Sequence, residues 1–395
     1  MAKAVIIDAT RTPIGRYGGS LLPFKAADLG AHCVRALMER NGIEPQGMID
    51  NVIMGQVLQG GSGQITTRQV LIKAGLDPTT PGLLINKVCA SGMRAITLAA
   101  TLIEMGENQL VFAGGYESMS NAPYYSFDTR WGAKMFDKKL VDGMVYDGLW
   151  CAFENVHMAV EGNMIAREFE IPREEQDEFA YQSQMKAKDA IQSGRLAEEI
   201  TPVEIPQKKG DPIIFDTDEH PRPDTTLEKL AKLKPIFEEN GTITAGNAPG
   251  VNDGGAALLV GTEEWAERLG KKPLARIVAW DYAALKPYQF PIAPAEAVKK
   301  LLKKTGHKID DFDLIECNEA FAAVVLANQR ILDWDPAKVN VNGGAIALGH
   351  PIGMSGARIT MTLAYELRRR GGGLGLACIC SGSGQGDALI IEVEP

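Results

Sequence analysis

Ser91-Gly92-Met93-Arg94 and Ser355-Gly356-Ala357-Arg358 are two near-copies set 264 positions apart in a chain of 395 residues. A second pair, Val34-Arg-Ala-Leu-Met-Glu-Arg-Asn-Gly42 and Val298-Lys-Lys-Leu-Leu-Lys-Lys-Thr-Gly306, keeps the same offset of 264. Both serine–glycine copies open helical stretches, running to about Met105 and Arg369. Each stretch ends near a glycine and enters an apolar run, Leu110 to Ala113 and Leu374 to Ala377. Amphipathic helices with basic faces can look alike without kinship. Separate segments that share one offset argue instead for an internal duplication.

Around these anchors, strand and helix signals alternate. Val5-Ile-Ile, Asn51-Val-Ile-Met and Leu110-Val-Phe-Ala are short apolar runs bounded by Gly or Asp, as strands covered on both faces read. Helical stretches lie between them. The pattern predicts an α/β fold of two similar halves, each a mixed sheet covered by helices, packed about a pseudo-twofold axis. The first half is expected over residues 1–118, completed by about 250–269, and the second over 270–395. Residues 119–249 have no counterpart and read as an inserted loop domain. It holds a helix from Pro172 to Ser193, closed by Gly194, and a Pro-, Asp- and Lys-rich stretch from Pro206 to Pro235 that reads as loop. Specificity elements commonly reside in such insertions.

Composition bounds the function. The formal net charge of −9 argues against nucleic acid as a partner. No apolar run approaches the roughly 18 residues of a membrane span. The sequence shows neither a leader nor a lipidation signal, so a cytoplasmic protein is the expectation. Six cysteines with no CxxC spacing suit neither a disulfide scaffold nor a zinc site, and no metal is expected.

Four clusters are candidates for chemistry. Cys89, in Asn86-Lys-Val-Cys89-Ala-Ser91-Gly92, falls just before a helix, where free N–H groups favour a thiolate and can hold an anionic oxygen. A lone cysteine there is more commonly a small core residue. His350 lies in the glycine-rich run Asn340 to Arg358. Because Ser91 pairs with Ser355, the duplication would bring the Cys89 and His350 loops together across the axis; the alternative is a structural turn histidine. Cys378-Ile-Cys380-Ser-Gly382-Ser-Gly384-Gln-Gly386 ends a strand with alternating glycines, able to aim N–H groups at an oxyanion and leave a thiol as base. The spacing is wrong for a dinucleotide fingerprint. Asn318-Glu319, after a Leu314 to Cys317 strand, could position water or a histidine, or simply start a helix.

Taken in order, VCASGMRA at Cys89, NEAFA at Asn318, GGAIALGHPIGMSGAR at His350 and CSGSGQG at Cys380 resemble the thiolase family, particularly its short-chain acetyl-CoA acetyltransferase branch. GGYESMS at Gly114 and TAGNAPGVNDG at Thr244 extend the resemblance over essentially the whole chain. It implies duplicated mixed-sheet halves in one layered α-β-α-β-α arrangement and a reaction between coenzyme A thioesters, with acetyl-CoA, acetoacetyl-CoA and CoA as ligands and no separate cofactor. His350 would help deprotonate Cys89, the nucleophile. Cys380 would be the acid/base for the second acetyl-CoA. Asn318, through a water, and His350 would hold the enolate oxygen, and the N–H groups of Cys89 and Gly382 the tetrahedral oxyanion. Alternation along a strand cannot separate Cys378 from Cys380; the family register selects Cys380.

The resemblance also implies contacts for the substrate. Leu149, His157 and Met158 match residues of the family's pantetheine tunnel, Phe321 belongs to the NEAFA segment beside it, and Arg222 matches a nucleotide contact. Lys229 replaces a smaller polar residue. These cations would meet a polyanion on an acidic protein. Three departures stand out. Ala248-Pro249-Gly250 replaces Ala-Ser-Gly, Phe290 stands in place of a pocket methionine, and Ser383 interrupts a glycine run. Residues 130–137, Arg-Trp-Gly-Ala-Lys-Met-Phe-Asp, resemble the family's tetramerisation loop, implying a homotetramer built as a dimer of dimers. A 3-ketoacyl-CoA thiolase of broader chain length and a non-catalytic acyl-CoA-binding subunit are the alternatives.

Overall fold

A computed structural model describes residues 3–395. In the first half, strands β1 (Ala4–Arg11), β2 (Asn51–Gly55), β3 (Gly82–Ile85), β4 (Leu110–Ser118) and β5 (Asn252–Thr262) accompany helices α1 (Ala26–Asn41), α2 (Thr66–Ala74) and α3 (Ser91–Glu104). Between β4 and β5 the insertion carries helices α4 (Met158–Glu168) and α5 (Arg173–Gln192). The second half contains strands β6 (Ala275–Ala284), β7 (Leu314–Cys317), β8 (Gly373–Ser381) and β9 (Gln385–Val393), with helices α6 (Ala293–Thr305), α7 (Ala322–Leu332) and α8 (Ser355–Arg369). Helices α3 and α8 both begin at the duplicated serine. The expected helix at Pro172 to Ser193 is α5, and Gly194 follows it at φ 77°.

The pairing repeats between halves. β2 and β4 are parallel, as are β7 and β8; β4–β5–β1 and β8–β9–β6 are antiparallel. The first half adds β3 beyond β2, whereas the second has in that place a single bridge, Ile315 to Val339. The expectation of two separate sheets changes in one respect. Val5 pairs with Arg276 and Ile6 with Ala275, joining the halves into one sheet of order β7-β8-β9-β6-β1-β5-β4-β2-β3, with the two-residue strand Gly15–Arg16 a tenth member paired to the start of β5. Only two residues of β1 make that bond, because strand twist turns the sheet back on itself.

Alternation along the strands builds the layers. Ala4, Ile6, Val111, Ala113, Ala377 and Ile379 face a central cluster around α3 and α8. Val5, Ile7, Leu110 and Phe112 face α1 and α2 on one outside, and Leu376, Cys378 and Ile390 face α6 on the other. The result is the α-β-α-β-α stack. At its centre α3 and α8 cross through the duplicated glycines. A Cβ on Gly92 would sit 2.8 Å from the Ala357 nitrogen, and one on Gly356 would sit 2.5 Å from the Met93 nitrogen. Neither place admits a side chain.

The insertion is anchored to this stack by buried charge. Arg11, at the end of β1, bonds Asp218 through both terminal nitrogens at 2.6 and 2.9 Å and Glu199 through Nε at 2.6 Å. The stretch Pro206–Pro235 is more than loop. Ile213–Phe215 pairs with Val203–Ile205, and a short helix, Leu227–Ala231, starts where the Thr226 side chain accepts the Lys229 N–H. Among the described residues no helix is long and apolar enough to cross a membrane.

Candidate active site

Cys89 ends a tight turn between β3 and α3. Val88, immediately before it, has φ 45°, a left-handed conformation that a β-branched residue adopts only when its surroundings impose it. The turn supplies that constraint. The Asn86 side chain accepts the Val88 N–H at 3.0 Å, while Ser91 Oγ accepts the Lys87 N–H at 2.8 Å and donates to the Val88 carbonyl at 2.6 Å.

His350 reaches this turn from the other half. Its Nε2 lies 3.3 Å from Cys89 Sγ, and its Nδ1 lies 2.6 Å from Ser355 Oγ. Ser355 donates its hydroxyl proton to the Pro351 carbonyl at 3.0 Å. Its oxygen therefore accepts from Nδ1–H, which leaves Nε2 bare and able to take the thiol proton. The loop backbone is held by Asn252, whose Oδ1 accepts the His350 N–H at 2.9 Å and whose amide donates to the Gly15 carbonyl at 3.0 Å.

Burial decides the resting charge of the pair. It pushes the Cys89 thiol up to about 12, against the N–H groups of Cys89 and Gly382 that lower it. Burial, with Arg358 nearby, pushes His350 down to about 3. Desolvation outweighs the mutual attraction of an ion pair, so the resting state is a neutral thiol and a neutral imidazole. Proton transfer then accompanies attack on an electrophile.

The two C-terminal thiols have different surroundings although both lie on one face of β8. Cys378 packs in the outer cluster with Cys317, Ala388 and Ile390, whereas Cys380 joins Met158, Ala248, Phe290 and Phe321 beside the pocket. Burial and the neighbouring Cys89 sulfur hold the Cys380 thiol well above the usual range. Asn318 is wholly buried, and neither its Nδ2 nor its Oδ1 finds a partner in the protein. An unmade hydrogen bond at such a group costs about 1–3 kcal/mol, which suits an amide whose partner is water or ligand. The adjacent Glu319 is fully engaged by Ser183 Oγ at 2.7 Å, Asn340 Nδ2 at 2.9 Å and the Ile346 N–H at 3.0 Å. It ties α5 to the His350 loop.

A pocket of about 350 Å³ opens onto Cys89 and His350, lined mostly by apolar side chains of the insertion. Two family models match the chain, "Thiolase, N-terminal domain" over residues 4–264 and "Thiolase, C-terminal domain" over residues 271–393. The chain belongs to the thiolase family. Among its relatives, proteins named acetyl-CoA acetyltransferase from Thiocystis violacea and Pseudomonas aeruginosa are each 50% identical, covering 93% and 94% respectively of this chain and of their own. One of the same name from Syntrophomonas wolfei is 48% identical over 99% of both chains.

This thiolase places Leu149, His157, Met158, Arg222, Ala248, Pro249 and Phe321 on the pocket wall. His157 uses Nδ1 to accept the Ala159 N–H at 3.1 Å and stacks on Phe237, ring centroids 3.6 Å apart. Burial pushes it down to about 4. Two expected contacts lie elsewhere. Lys229 is bonded to Asp224 Oδ2 at 2.5 Å and to the Asp224 carbonyl at 2.7 Å, outside the lining, because an exposed acid two residues from Arg222 captures its ammonium first. Phe290 is fully buried behind the wall, edge-on to Phe321 with centroids 6.5 Å apart, so it backs the pocket without lining it. The sequence reading missed Asn252, although it lies in the quoted Thr244 to Gly254 segment. It also missed His220, which lines the pocket beside Arg222. Burial and Arg222 push His220 down to about 4, leaving a neutral imidazole on the wall. Nothing in a polar loop distinguished that histidine beforehand.

Proposed function

We propose that this thiolase is an acetyl-CoA acetyltransferase that joins two acetyl-CoA molecules into acetoacetyl-CoA and free CoA, and runs the reverse thiolysis. The observation that carries the reading is the 3.3 Å approach of His350 Nε2 to Cys89 Sγ, with a second thiol, Cys380, beside them. His350 takes the Cys89 proton as sulfur attacks the thioester carbonyl. The carbonyl oxygen becomes an oxyanion facing the Cys89 and Gly382 N–H groups, which already approach the sulfur. The expelled CoA thiolate takes its proton from the Cys380 thiol, for which solvent can substitute, leaving acetyl-Cys89, a protonated His350 and a Cys380 thiolate. A second acetyl-CoA then enters. Cys380 takes a proton from its methyl carbon, and the enolate oxygen is held by His350 and, through water, by Asn318. The carbanion attacks the acetyl carbonyl, a carbon–carbon bond forms, and the carbon–sulfur bond to Cys89 breaks, the Cys89 thiolate taking back its proton from His350. Every proton is carried by these groups, so the scheme uses no cofactor.

Phe321 on the pocket wall, backed edge-on by Phe290, favours a short chain. Purified protein supplied with CoA should cleave acetoacetyl-CoA, read as loss of its enolate absorbance, faster than longer 3-ketoacyl-CoAs. Equal or faster cleavage of the longer substrates would favour the broader thiolase, and no cleavage of either would leave the binding-subunit reading. The homotetramer is proposed from residues 130–137, where Trp131, Met135 and Phe136 are 89%, 79% and 86% exposed and need a partner surface. A monomer mass by light scattering at micromolar concentration would overturn it.

A further inference from the structure

The opposite half grips the two catalytic loops unequally. At the end of β4, Glu117 accepts the Gly353 N–H of the His350 loop at 3.0 Å, together with the Val57 and Leu58 N–H groups at 3.0 and 3.1 Å. The duplication puts Ser381 at the equivalent end of β8. Its single hydroxyl donates to the Lys87 carbonyl in the Cys89 turn. Each loop therefore takes one bond here from the opposite half, but one comes from a carboxylate anchored by two N–H groups of its own half and the other from a lone hydroxyl.

A second hold, absent from the first half, lies beside it. Lys87 Nζ is 2.6 Å from Asp387 Oδ1, with side chains only 14% and 3% exposed. The ammonium also lies 4.6 Å from the centroid of the Tyr282 ring. Asp387 pairs with Ile379 across β8 and β9, one step from the pairing of Cys380 with Gly386. Lys87 is thus tied at its N–H by Ser91, at its carbonyl by Ser381 and at its side chain by Asp387. It is two residues from Cys89; of its C-terminal partners, Ser381 lies between Cys380 and Gly382, and Asp387 follows Gly386, the cross-strand partner of Cys380.

We propose that Lys87 and Asp387 are a positioning pair, clamping the turn that bears Cys89 onto the strand that bears Cys380. The inference rests on the acetyltransferase reading of the site. Acylation needs Cys89 and His350, aligned by Ser91, Ser355 and Glu117, and takes from the clamped strand end only the Gly382 N–H and a proton that solvent can replace. The carbon–carbon step needs in addition the spacing between two thiols on different halves, and that spacing is what the clamp sets.

The test compares Asp387→Asn and Lys87→Met with wild type. The expected result is a ten- to hundredfold fall in kcat for condensation and thiolysis. Acetylation of Cys89, followed by mass spectrometry, should fall threefold or less, and KM should stay within twofold. A fall shared equally by both half-reactions, or no fall in soluble folded variants, overturns the proposal. A second measurement needs no turnover. Dibromobimane, a short thiol-to-thiol cross-linker, should bridge Cys89 to Cys380 in wild type and do so at least twofold less in either variant. An unchanged yield overturns the clamp even in a protein that lacks thiolase activity. Inactivity of wild type with acetoacetyl-CoA would overturn only the functional reading.

Discussion

The loops Asn86–Ser91 and His350–Ser355 occupy the same place in the two halves, yet one delivers a nucleophile and the other a base. Position by position, Asn86 stands where His350 does, Lys87 where Pro351 does, Cys89 where Gly353 does, and Ser91 where Ser355 does. Each catalytic side chain faces a non-catalytic residue in the opposite copy. The shared serine shows how one frame serves both purposes. In the first loop its oxygen accepts the Lys87 N–H, closing the turn that presents Cys89. In the second, Pro351 has no N–H to offer, so the oxygen accepts from the His350 ring instead. A single change of backbone donor turns a turn-closing serine into a tautomer-setting one.

The largest effects should break the division of labour between loops. Cys89→Ser is expected to abolish acetylation, with kcat down roughly 10³-fold or more. Cys380→Ser should still acetylate but lose condensation by about 10²- to 10⁴-fold, whereas Cys378→Ser, in the outer cluster, should keep near-wild-type turnover. If Cys378→Ser gives the Cys380 phenotype, the assignment of the base fails. Next come the serines. Ser355→Ala should cost about tenfold to a hundredfold in kcat by freeing the His350 ring, with KM little changed. Ser91→Ala should cost about 1 kcal/mol of stability by loosening the turn. Ser355→Ala alone should alter the pH profile of acylation, since only that serine touches the imidazole.

Acid titration gives a smaller effect of opposite logic. His350 falls from 6.5 to about 3 on burial, so between those values the unfolded chain binds a proton that the folded protein refuses. Its contribution to stability is therefore present above pH 6.5 and is lost as pH falls toward 3. Urea midpoints of wild type should drop across this window more steeply than those of His350→Gln. Parallel slopes would show that the imidazole is not held neutral.

Much of this frame was legible from the chain because a duplication is a long-range constraint that survives in sequence. The offset of 264 locates both helix starts, both strands after them and the meeting of Cys89 with His350. What stayed hidden depended on contacts between segments with no shared pattern. The two-residue seam between β1 and β6 leaves no periodic trace. Lys229, read as a cation for the nucleotide end, bonds Asp224 outside the pocket lining, a contact no sequence pattern announces. Phe290, expected in the pocket, recedes behind its wall, and His220, to which no role was assigned, enters it, since irregular segments leave no periodic sign of which side chain faces inward. Cys378 and Cys380 share a strand face, and only their neighbours separate them.

The sharpest version of the loop comparison is also the gentlest substitution. Pro351→Ala returns an N–H to the position that Lys87 fills in the first half. In the Cys89 turn that N–H reaches the serine oxygen four residues on at 2.8 Å, and position 351 has the same spacing to Ser355. The new donor would compete with His350 Nδ1 for one acceptor, weakening the bond that keeps Nε2 bare. Losing the ring's fixed φ should itself cost only about 0.4–1 kcal/mol, through the unfolded chain. The expected outcome is a two- to fivefold fall in kcat, an unchanged KM and a slightly lower Tm. The activity loss should disappear when Ser355→Ala is already present, because no acceptor remains to compete for. Additive losses in the double variant would mean that Pro351 acts on loop rigidity alone, and that the serine's two roles do not turn on the missing donor.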